Sequence, residues 1–388
     1  MEMFRRTFAE ININHLIHNY EQVKSVAGDQ RFICPMVKAN GYGHGDVQIA
    51  LALEKAGVEH FGVCLIEEGL LLRQHSVQAD ILVFRGFDKY GAQKIVDHQM
   101  IPVVSTWEQI QALEDTVDEF IKVHLKFNTG MNRLGFSVSE AEKLFDYFKK
   151  SKKLKLKAVL THFYNGEDAF DPNGDSSKQA QLLGDIVDFF QPLGVYAHIL
   201  NSGGIASLAK VKNDTNHFLN KRNWGFRPGL MMYGYQPHSI FTELNLKPVM
   251  SFKSVVNNIR RIKKGEVVSY GATWVAEKDS WLAVVPVGYA DGVHRLISNK
   301  SHVLFAGQRA PIVGRICMDF LMLDVSHIVQ ENDLHRFENE EVILFGYDQS
   351  GEFLSAHEMA KAAQTITWEV LTSVGERVPR LFRGGNDL

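Results

Sequence analysis

The sequence predicts an α/β protein with a (β/α)8 barrel of the TIM type, followed by a mostly β C-terminal domain. Eight strand-like apolar runs recur between residues 32 and 234, and helix-like segments separate most of them. After residue 234 the runs become short and β-branched, with Gly, Asn, Asp and Lys between them. Strands that alternate with helices form parallel sheets, and eight such units can close into a barrel. An open doubly wound sheet is the competing architecture.

The first part of the chain is predicted to begin with a strand at residues 4–13 and an amphipathic helix at residues 14–26. The eight recurring strands are predicted at residues 32–38, 60–66, 79–85, 101–106, 120–127, 156–163, 196–201 and 226–234. The helices between them are predicted at residues 46–56, 67–75, 91–99, 107–115, 138–150 and 176–190.

The second part of the chain is predicted to contain seven strands and one clear helix. The strands are expected at residues 250–259, 266–270, 281–287, 302–305, 310–316, 320–325 and 341–345. The helix is expected at residues 355–373, with Ser355 and Glu358 at the spacing of a capping box. The predicted domains are therefore residues 1–240 and residues 241–388.

Composition and charge narrow the class of protein. Hydrophobic residues make up 45% of the 388 residues and charged residues 22%, which is ordinary for a globular protein. The net charge of −3 gives no reason to expect nucleic acid, and the basic run at residues 149–157 is interpreted as a solvated helix end. Three scattered cysteines favour a reducing compartment, and we expect neither a disulfide framework nor a metal site. No apolar stretch approaches the ~20 residues that cross a bilayer, so we expect a cytoplasmic protein.

Polar side chains follow the predicted barrel strands where each strand ends. In a (β/α)8 barrel these carboxyl ends meet on one face, and that face carries the chemistry. The clustering of polar residues at strand ends therefore favours the barrel over the open sheet. The residues concerned are Lys38, Lys126, Asn128, His162, Asn201, Ser202 and Arg227.

Lys38 is the centre of the most informative stretch, FICPMVKANGYGHG at residues 32–45. Its amine would leave a buried strand and enter a turn in which Asn and Gly residues can adopt φ > 0. An amine in such a place can form an imine, although an ordinary lysine at a strand-to-loop junction is the alternative interpretation. No Lys-Ser or Lys-Thr pair closes the glycines, so they are not a nucleotide-binding loop.

Several longer strings resemble the alanine racemase family over essentially the whole chain. VKANGYGHG is similar to the cofactor-lysine motif of that family, and KFNTGMNRLG at residues 126–135 resembles its KxDTGMGRLG segment. SYG at residues 269–271, GYADG at residues 288–292 and GRICMD at residues 314–319 resemble motifs of its second domain. The resemblance implies a barrel followed by a β domain, with the first strand, near residues 4–12, folding back into the second domain. It also implies pyridoxal 5'-phosphate carried on Lys38.

Racemisation requires that a proton removed from one face of a carbon be replaced on the other face. The resemblance implies that Lys38 and Tyr270 are the two bases, with Lys38 acting on the D-enantiomer and Tyr270 on the L-enantiomer. Tyr270 would come from the partner subunit of a homodimer.

Further roles are implied by the same resemblance. Arg227 would face the pyridine nitrogen and His162 would lie near the ring, while Ser202, Tyr42 and N–H groups around Gly229 would hold the phosphate. Arg133 would bind the substrate carboxylate, and Lys126 stands where family members commonly carry a carbamylated lysine. The remaining site residues implied are Asn201 and Trp368 for the cofactor, and Met318, Tyr289, Cys317 and Asp319 for the substrate.

Two positions depart from the family pattern. Asn128 replaces an aspartate, which removes one negative charge near the site. Trp368 stands where the family generally has a tyrosine whose hydroxyl meets the phosphate and lines the substrate entrance. Because an indole donates one hydrogen bond and accepts none, we expect an altered cofactor grip or substrate range.

The function predicted from the sequence is pyridoxal-phosphate-dependent interconversion of L- and D-alanine, supplying D-alanine for peptidoglycan. A racemase of serine or of broader specificity is the alternative enzyme. A non-catalytic pyridoxal-phosphate carrier is the alternative from another class, but such carriers resemble the barrel alone. Barrel decarboxylases are disfavoured because NSGG at residues 201–204 replaces their three-glycine phosphate loop.

Overall fold

The computed structural model describes residues 5–28 and 32–385, and these form two compact units. One unit, called here the barrel unit, comprises residues 15–28, 32–41 and 46–247. The other, called the β unit, comprises residues 5–14, 42–45 and 248–385. Phe4, the first residue of the first predicted strand, lies outside the described residues, as do the outer ends of both predicted domains.

The barrel unit contains seven parallel strands that pair in sequence order. They are His60–Val63, Asp80–Val83, Ile101–Val104, Ile121–Lys126, Leu154–Leu160, Tyr196–Leu200 and Gly225–Phe226. The segment before Lys38 takes the eighth position. Ile33 forms a parallel bridge to Phe226, and Met36 forms one to Gly62, so the segment joins the last strand to the first. The predicted (β/α)8 barrel is confirmed.

Two of the predicted barrel strands differ from the structure, and the strand predicted at residues 250–259 is two strands, Met250–Val255 and Asn258–Ile262, in different sheets. Residues 32–38 form isolated bridges and no regular strand, because Pro35 lacks the N–H that a continuous ladder needs. The strand predicted at residues 226–234 ends at Phe226 and is followed by a 3-10 helix at Leu230–Tyr233. Pro228 donates no hydrogen bond and Gly229 has φ −110° and ψ −98°, so the extended backbone stops there.

Eight right-handed α-helices lie in the first 247 residues of the described chain, and Lys38–Tyr42 forms a left-handed turn. The helices are Ile13–Ala27, Asp46–Lys55, Ile66–Gln74, Lys89–Asp97, Trp107–Thr116, Ala141–Lys150, Asp175–Phe190 and Ser202–Val211. The helix Ser202–Val211 was not predicted, because Gly203 and Gly204 disfavour a helix. Asn201 starts it nevertheless, since its side-chain oxygen accepts a hydrogen bond from Gly204 N at 3.0 Å. The basic run at 149–157 is a helix end only at Lys149 and Lys150, because its later residues belong to the strand Leu154–Leu160.

The β unit contains three sheets. The largest has the strand order Gln308–Pro311, His302–Phe305, Glu341–Tyr347, Met250–Val255, Phe8–Asn12, Arg380–Arg383, with Phe353–Leu354 paired to Glu341–Tyr347. The second has the order Asn258–Ile262, Ser280–Val285, Leu321–Asp324, and the third pairs Val267–Val268 with Trp274–Val275. The strand Phe8–Asn12 thus pairs with Met250–Val255 and Arg380–Arg383 of this unit.

The predicted helix at residues 355–373 is two helices, Ala356–Ala362 and Thr367–Ser373. Gln364 adopts a left-handed φ of 56°, which interrupts the helical backbone. Ser355 caps the first helix by accepting from His357 N at 3.1 Å. The predicted capping box is wrong, because the Glu358 carboxylate instead pairs with Arg309 at 2.6 Å.

No helix in the described residues is both long and apolar enough to cross a bilayer. Within the same residues, no group of three or more His, Cys, Asp or Glu side chains is arranged to hold a metal ion.

Candidate active site

The backbone after Lys38 forms a left-handed turn. Residues 39–42 have φ values of 52°, 54°, 58° and 52°, and only the third of them is glycine. This conformation costs ~1–2 kcal/mol per residue for L-amino acids, so other contacts must hold it. The prediction that Asn40, Gly41, Gly43 and Gly45 adopt φ > 0 is confirmed.

Glu68 is the residue that ties down the start of this turn. One of its carboxylate oxygens accepts from Ala39 N at 2.7 Å, and the other accepts from Cys64 N at 2.7 Å and Leu65 N at 2.9 Å. A single carboxylate therefore joins the turn after Lys38 to the loop that opens the helix Ile66–Gln74. Glu68 was not predicted from the sequence, although its place three residues after Leu65 is the N3 position of that helix.

Four cations of the barrel unit, Lys38, Lys126, Arg133 and Arg227, act on one another at the carboxyl ends of the strands. Burial lowers the pKa of Lys126 to about 8, and the positive charges of Arg227, Arg133 and Lys38 add to that effect. Burial and the same cations lower the pKa of His162 well below its usual value. In the described part of the chain no carboxylate forms an ion pair with any of the four cations. Lys126 and Arg227 are buried, Lys38 is half-buried and Arg133 is exposed. Because a buried charge without an opposite charge is costly, this cation cluster fits an anionic ligand.

Arg227 is buried and its guanidinium is held by backbone and histidine acceptors. Nη1 donates to His198 O at 2.6 Å and to His198 Nδ1 at 2.7 Å, while Nη2 donates to Thr161 O at 2.7 Å and to His162 Nδ1 at 3.3 Å. Nη2 also lies 3.4 Å from Ile199 O, so the four Nη protons are all within reach of protein acceptors. The fifth N–H, at Nε, has no acceptor among residues 5–28 and 32–385. One charged donor of Arg227 therefore remains for a ligand atom that can accept it.

The Ser202 hydroxyl and the start of its helix form a set of donors that fits a phosphate. Ser202 Oγ accepts from Gly229 N at 3.1 Å and from Met231 N at 3.5 Å, which leaves its own proton free to donate. Ser202 is also the first residue of the ten-residue helix Ser202–Val211, whose first N–H groups lack helical partners. Helix starts of this kind bind anions, so the donor set suits pyridoxal 5'-phosphate.

Asn201 has a different part in this arrangement. Its oxygen caps the helix through Gly204 N, and its amide donates to Phe163 O at 3.1 Å. Both side-chain groups are thus used by the protein itself, and a direct role toward the cofactor stays a prediction.

The β unit brings a second group of predicted residues together. Tyr270 is 70% exposed on a turn in which Ser269, Gly271 and Ala272 all have positive φ. Ser269 Oγ donates to Arg315 O at 2.6 Å and lies 3.4 Å from Cys317 Sγ, which joins this turn to the GRICMD segment.

The GYADG and GRICMD segments pack backbone against backbone in the same unit. Tyr289 N donates to Cys317 O at 3.0 Å, and a Cβ on Gly288 would lie 2.3 Å from the carbonyl oxygens of Cys317 and Met318. Any side chain would clash there, which explains why residue 288 is a glycine. Tyr289 and Met318 are 42% and 52% exposed. Asp319 pairs with Arg377 at 2.5 Å, so its carboxylate is already bound.

Two further predicted residues also belong to the β unit. Tyr42, the last residue of the left-handed turn, is buried, and Trp368 is half-buried on the helix Thr367–Ser373.

Comparisons with known proteins cover nearly the whole chain. The family model for the alanine racemase N-terminal domain matches residues 11–237, and that for the C-terminal domain matches residues 249–382. The chain belongs to the alanine racemase family. The chain is therefore an amino acid racemase, an isomerase of a family that uses pyridoxal phosphate.

Individual alanine racemases are similar to this chain over nearly their full length. The protein of Thermodesulfovibrio yellowstonii is 35% identical over 388 residues, covering 98% of each chain. That of Carboxydothermus hydrogenoformans is 33% identical over 386 residues, covering 97% of this chain and 100% of the other. A solved alanine racemase structure from Clostridium difficile 630 has a TM-score of 0.87 at 28% identity, covering 98% of this chain and 97% of that one. The structure of the Bacillus anthracis alanine racemase with bound L-Ala-P has a TM-score of 0.86 at 28% identity, covering 100% and 97%.

Against the alanine racemase segment KxDTGMGRLG, this chain differs at two positions that touch each other. Asn128 stands at the aspartate, and Asn132, which was not predicted from the sequence, stands at the glycine directly before Arg133. The backbone N–H groups of Gly130 and Asn132 donate to Asn128 Oδ1 at 3.1 Å and 2.9 Å. The comparison of the two strings was the signal that could have found Asn132.

Proposed function

We propose that this chain interconverts L-alanine and D-alanine with pyridoxal 5'-phosphate held on Lys38, as a cytoplasmic homodimer that supplies D-alanine for peptidoglycan. The observation that carries the proposal is the cation cluster, which surrounds the carboxyl ends of the barrel strands without a carboxylate partner. Three anionic groups would balance it: the cofactor phosphate, the substrate carboxylate and a carbamate on Lys126.

The hydrogen-bond donors described above identify the residues that would bind the cofactor. The Ser202 hydroxyl, which accepts from the N–H groups of Gly229 and Met231, and the first N–H groups of the helix Ser202–Val211 offer hydrogen-bond donors for the phosphate. Arg227 offers its Nε–H to the ring nitrogen. When bound, pyridoxal phosphate supplies an electron sink that makes the substrate α-proton acidic enough to remove. Arg227 is charged and cannot accept a hydrogen bond, so it disfavours a proton on the ring nitrogen.

Two bases on opposite faces of the substrate then move the protons. Once the substrate amine has displaced Lys38 from the cofactor, the freed Lys38 amine removes the α-proton of D-alanine, and Tyr270 of the partner subunit donates a proton to the opposite face; the roles reverse for L-alanine. Arg133 binds the substrate carboxylate with a two-pronged donor, which orients the α-carbon between the bases. His162 accepts from Arg227 through Nδ1, so its remaining proton sits on Nε2 and can donate within the site.

Exposure of the β-unit residues supports a partner chain. Tyr270, Tyr289 and Met318 are 70%, 42% and 52% exposed in a single chain, although tyrosine and methionine side chains favour burial. A second copy that covers this surface would give both chains a complete site, as a two-fold dimer requires.

A racemase that also accepts serine or larger amino acids is the second candidate, and Trp368 favours it. An indole at this position is larger than the family's phenol and lacks its acceptor, which alters the substrate entrance. We expect Trp368→Tyr to change the affinity for the cofactor and the ratio of kcat/KM for alanine to that for serine. Unchanged values for both would remove the support that Trp368 gives to this candidate.

The deciding experiment is incubation of the holoenzyme with L-alanine in heavy water. We expect loss of optical rotation together with deuterium at the α-carbon, and neither with Lys38→Ala. Cofactor binding without α-exchange would instead identify a non-catalytic carrier and overturn the proposal.

A further inference from the structure

Arg227 is the inner end of a hydrogen-bonded chain that passes through the interior of the barrel. Beyond Arg227 Nη1, His198 Nε2 lies 2.9 Å from His124 Nδ1, and His124 Nε2 lies 3.2 Å from the Tyr196 hydroxyl. The chain therefore joins four side chains in the order Arg227, His198, His124, Tyr196. None of the last three has a place in the reaction proposed above.

The positions of these residues along their strands explain the path. Alternate residues of a strand point to the same face, so His124 and Lys126 share the interior face of the strand Ile121–Lys126. Tyr196 and His198 are likewise two residues apart on the strand Tyr196–Leu200. His124 and His198 are 1% and 0% exposed, whereas Tyr196 is 36% exposed at the amino end of its strand. The chain thus runs from the carboxyl-end site toward the opposite mouth of the barrel.

Phe32 covers the chain from the side. Its ring centroid lies 4.9 Å from that of His198, 5.1 Å from that of Tyr196 and 5.9 Å from that of His124. Burial disfavours a charged histidine and lowers the pKa of His124 to about 3, and the charges of His60, Arg227 and Lys122 add to that effect.

The hydrogen positions follow from the chemistry of Arg227. A guanidinium only donates, so His198 Nδ1 must accept, and neutral His198 carries its proton on Nε2. That proton must go to His124 Nδ1, so neutral His124 also carries its proton on Nε2 and donates it to Tyr196. Every donor in the chain points away from Arg227.

We propose that His198 and His124 are positioning residues whose fixed tautomers present an acceptor to Arg227 Nη1 and so leave Nε as its one free donor. The consequence for the cofactor rests on the proposed function. If either tautomer reversed, His198 would point an N–H at an N–H of Arg227, and the guanidinium would have to turn. A carboxylate in place of His198 would hold Arg227 equally well but would neutralise the charge that acts on the ring.

The first test is nitrogen-15 NMR of the full chain with labelled histidine, recorded with and without cofactor. We expect His124 and His198 each to show a protonated Nε2 and a bare Nδ1 throughout pH 6 to 9. A protonated Nδ1 on either ring, or titration of either ring in that range, would overturn the proposal. Because this readout needs no turnover, it stands even if the proposed reaction is wrong.

The second test compares His124→Leu with His124→Gln. Leucine removes both hydrogen bonds, whereas the glutamine amide offers one acceptor and one donor. For His124→Leu we expect kcat for alanine to fall on the order of tenfold with a smaller change in KM, as for loss of a buried hydrogen bond to a charged network. We also expect more pyruvate per racemisation event, because a turned Arg227 no longer keeps the proton off the ring nitrogen. A protonated ring favours transamination, in which the amino group of alanine stays on the cofactor and pyruvate is released. His124→Gln should recover most of kcat and the low pyruvate yield.

His60→Leu is the matched control. His60 also packs on Phe32, at 4.7 Å between ring centroids, but it makes no hydrogen bond to His198, His124 or Tyr196. An equal rise in pyruvate yield for His60→Leu and His124→Leu would contradict the proposal. If His124→Leu did not fold, Tyr196→Phe would serve in its place. Tyr196→Phe should shift the Nε2 signal of His124 while the signals of His60 stay constant. Unchanged His124 signals would contradict the proposed hydrogen bonds between these side chains.

Discussion

The side-chain amide of Asn128 donates a hydrogen bond to Oδ1 of Asn132, 2.8 Å away. Asn132 has a left-handed φ of 55°, a conformation in which asparagine is better tolerated than other side chains. The two residues that differ from the alanine racemase segment therefore act together. Their hydrogen bond stabilises the loop that carries Arg133, the next residue after Asn132.

Substitution of Asn132 separates the two contributions of this device. Asn132→Ala loses the hydrogen bond and keeps the left-handed strain, so we expect a loss of about 1–2 kcal/mol in the free energy of unfolding. Asn132→Gly loses the same bond but relieves the strain, so its loss should be smaller. Urea unfolding of both variants checks the order, and equal losses would show that the backbone conformation contributes nothing. We also expect Asn132→Ala to raise KM for alanine through Arg133.

The pKa of Lys126 predicts a specific pH dependence of stability. Burial lowers this pKa from 10.5 to about 8, so below pH 8 the folded protein carries a buried charge that the unfolded chain hydrates freely. Lys126→Met should therefore be more stable than the natural chain at pH 7, by up to about 3 kcal/mol at 1.36 kcal/mol for each pKa unit.

The sign of the change with pH follows from proton binding. Between pH 8 and 10.5 the folded state has released the Lys126 proton while the unfolded state still holds it, so the stability of the natural chain rises in this window. The advantage of Lys126→Met should shrink as pH rises from 8 to 10.5. Bicarbonate should also reduce it near pH 8 if Lys126 forms a carbamate. A difference that stays constant from pH 7 to pH 10 would contradict this account.

Mixed dimers test whether each site is shared between two chains. Lys38→Ala and Tyr270→Phe should each lose racemisation, because each dimer then lacks the same base at both sites. After dissociation and mixing in equal amounts, half of the dimers carry one intact site, so about a quarter of the full activity should return. No recovery, with mixed dimers verified by mass spectrometry, would place both bases in one chain. Lys38→Ala mixed with a Lys38→Ala, Tyr270→Phe double variant is the control that should stay inactive.

Gly43 and Gly57 form a matched pair for a stability test. Both have positive φ, 83° and 91°, but a Cβ on Gly43 would lie 2.2 Å from the Leu371 carbonyl oxygen, while a Cβ on Gly57 meets nothing within 4 Å. Gly57→Ala should cost ~1 kcal/mol from backbone strain alone. Gly43→Ala should cost several kcal/mol more, because backbone atoms must move and Arg380 Nε donates to Gly43 O at 2.9 Å. Thermal unfolding compares the two, and equal costs would mean that the segment adapts freely.

Sequence patterns were most reliable for helices with a clear amphipathic face and a capping residue. The helix predicted at residues 107–115 is Trp107–Thr116, and Thr106 caps it. They failed where a local signal was overruled, as at Ser202–Val211, where a capped and buried site stabilises a helix containing two glycines. They also failed at residues 226–234, where hydrophobic residues suggested a strand but Pro228 and Gly229 end it.

The sequence by itself determined the family and the barrel and predicted the role of Lys38, because these depend on local strings and on the period of apolar residues. Only the tertiary structure decided which side chains and backbone groups contact one another in the site. The partners of Arg227 are His198, His162 and the backbone of Thr161, which come from two strands and become neighbours only when the sheet closes. The left-handed turn at residues 39–42 likewise depends on Glu68, about 30 residues away, because a strained backbone persists only where distant contacts hold it.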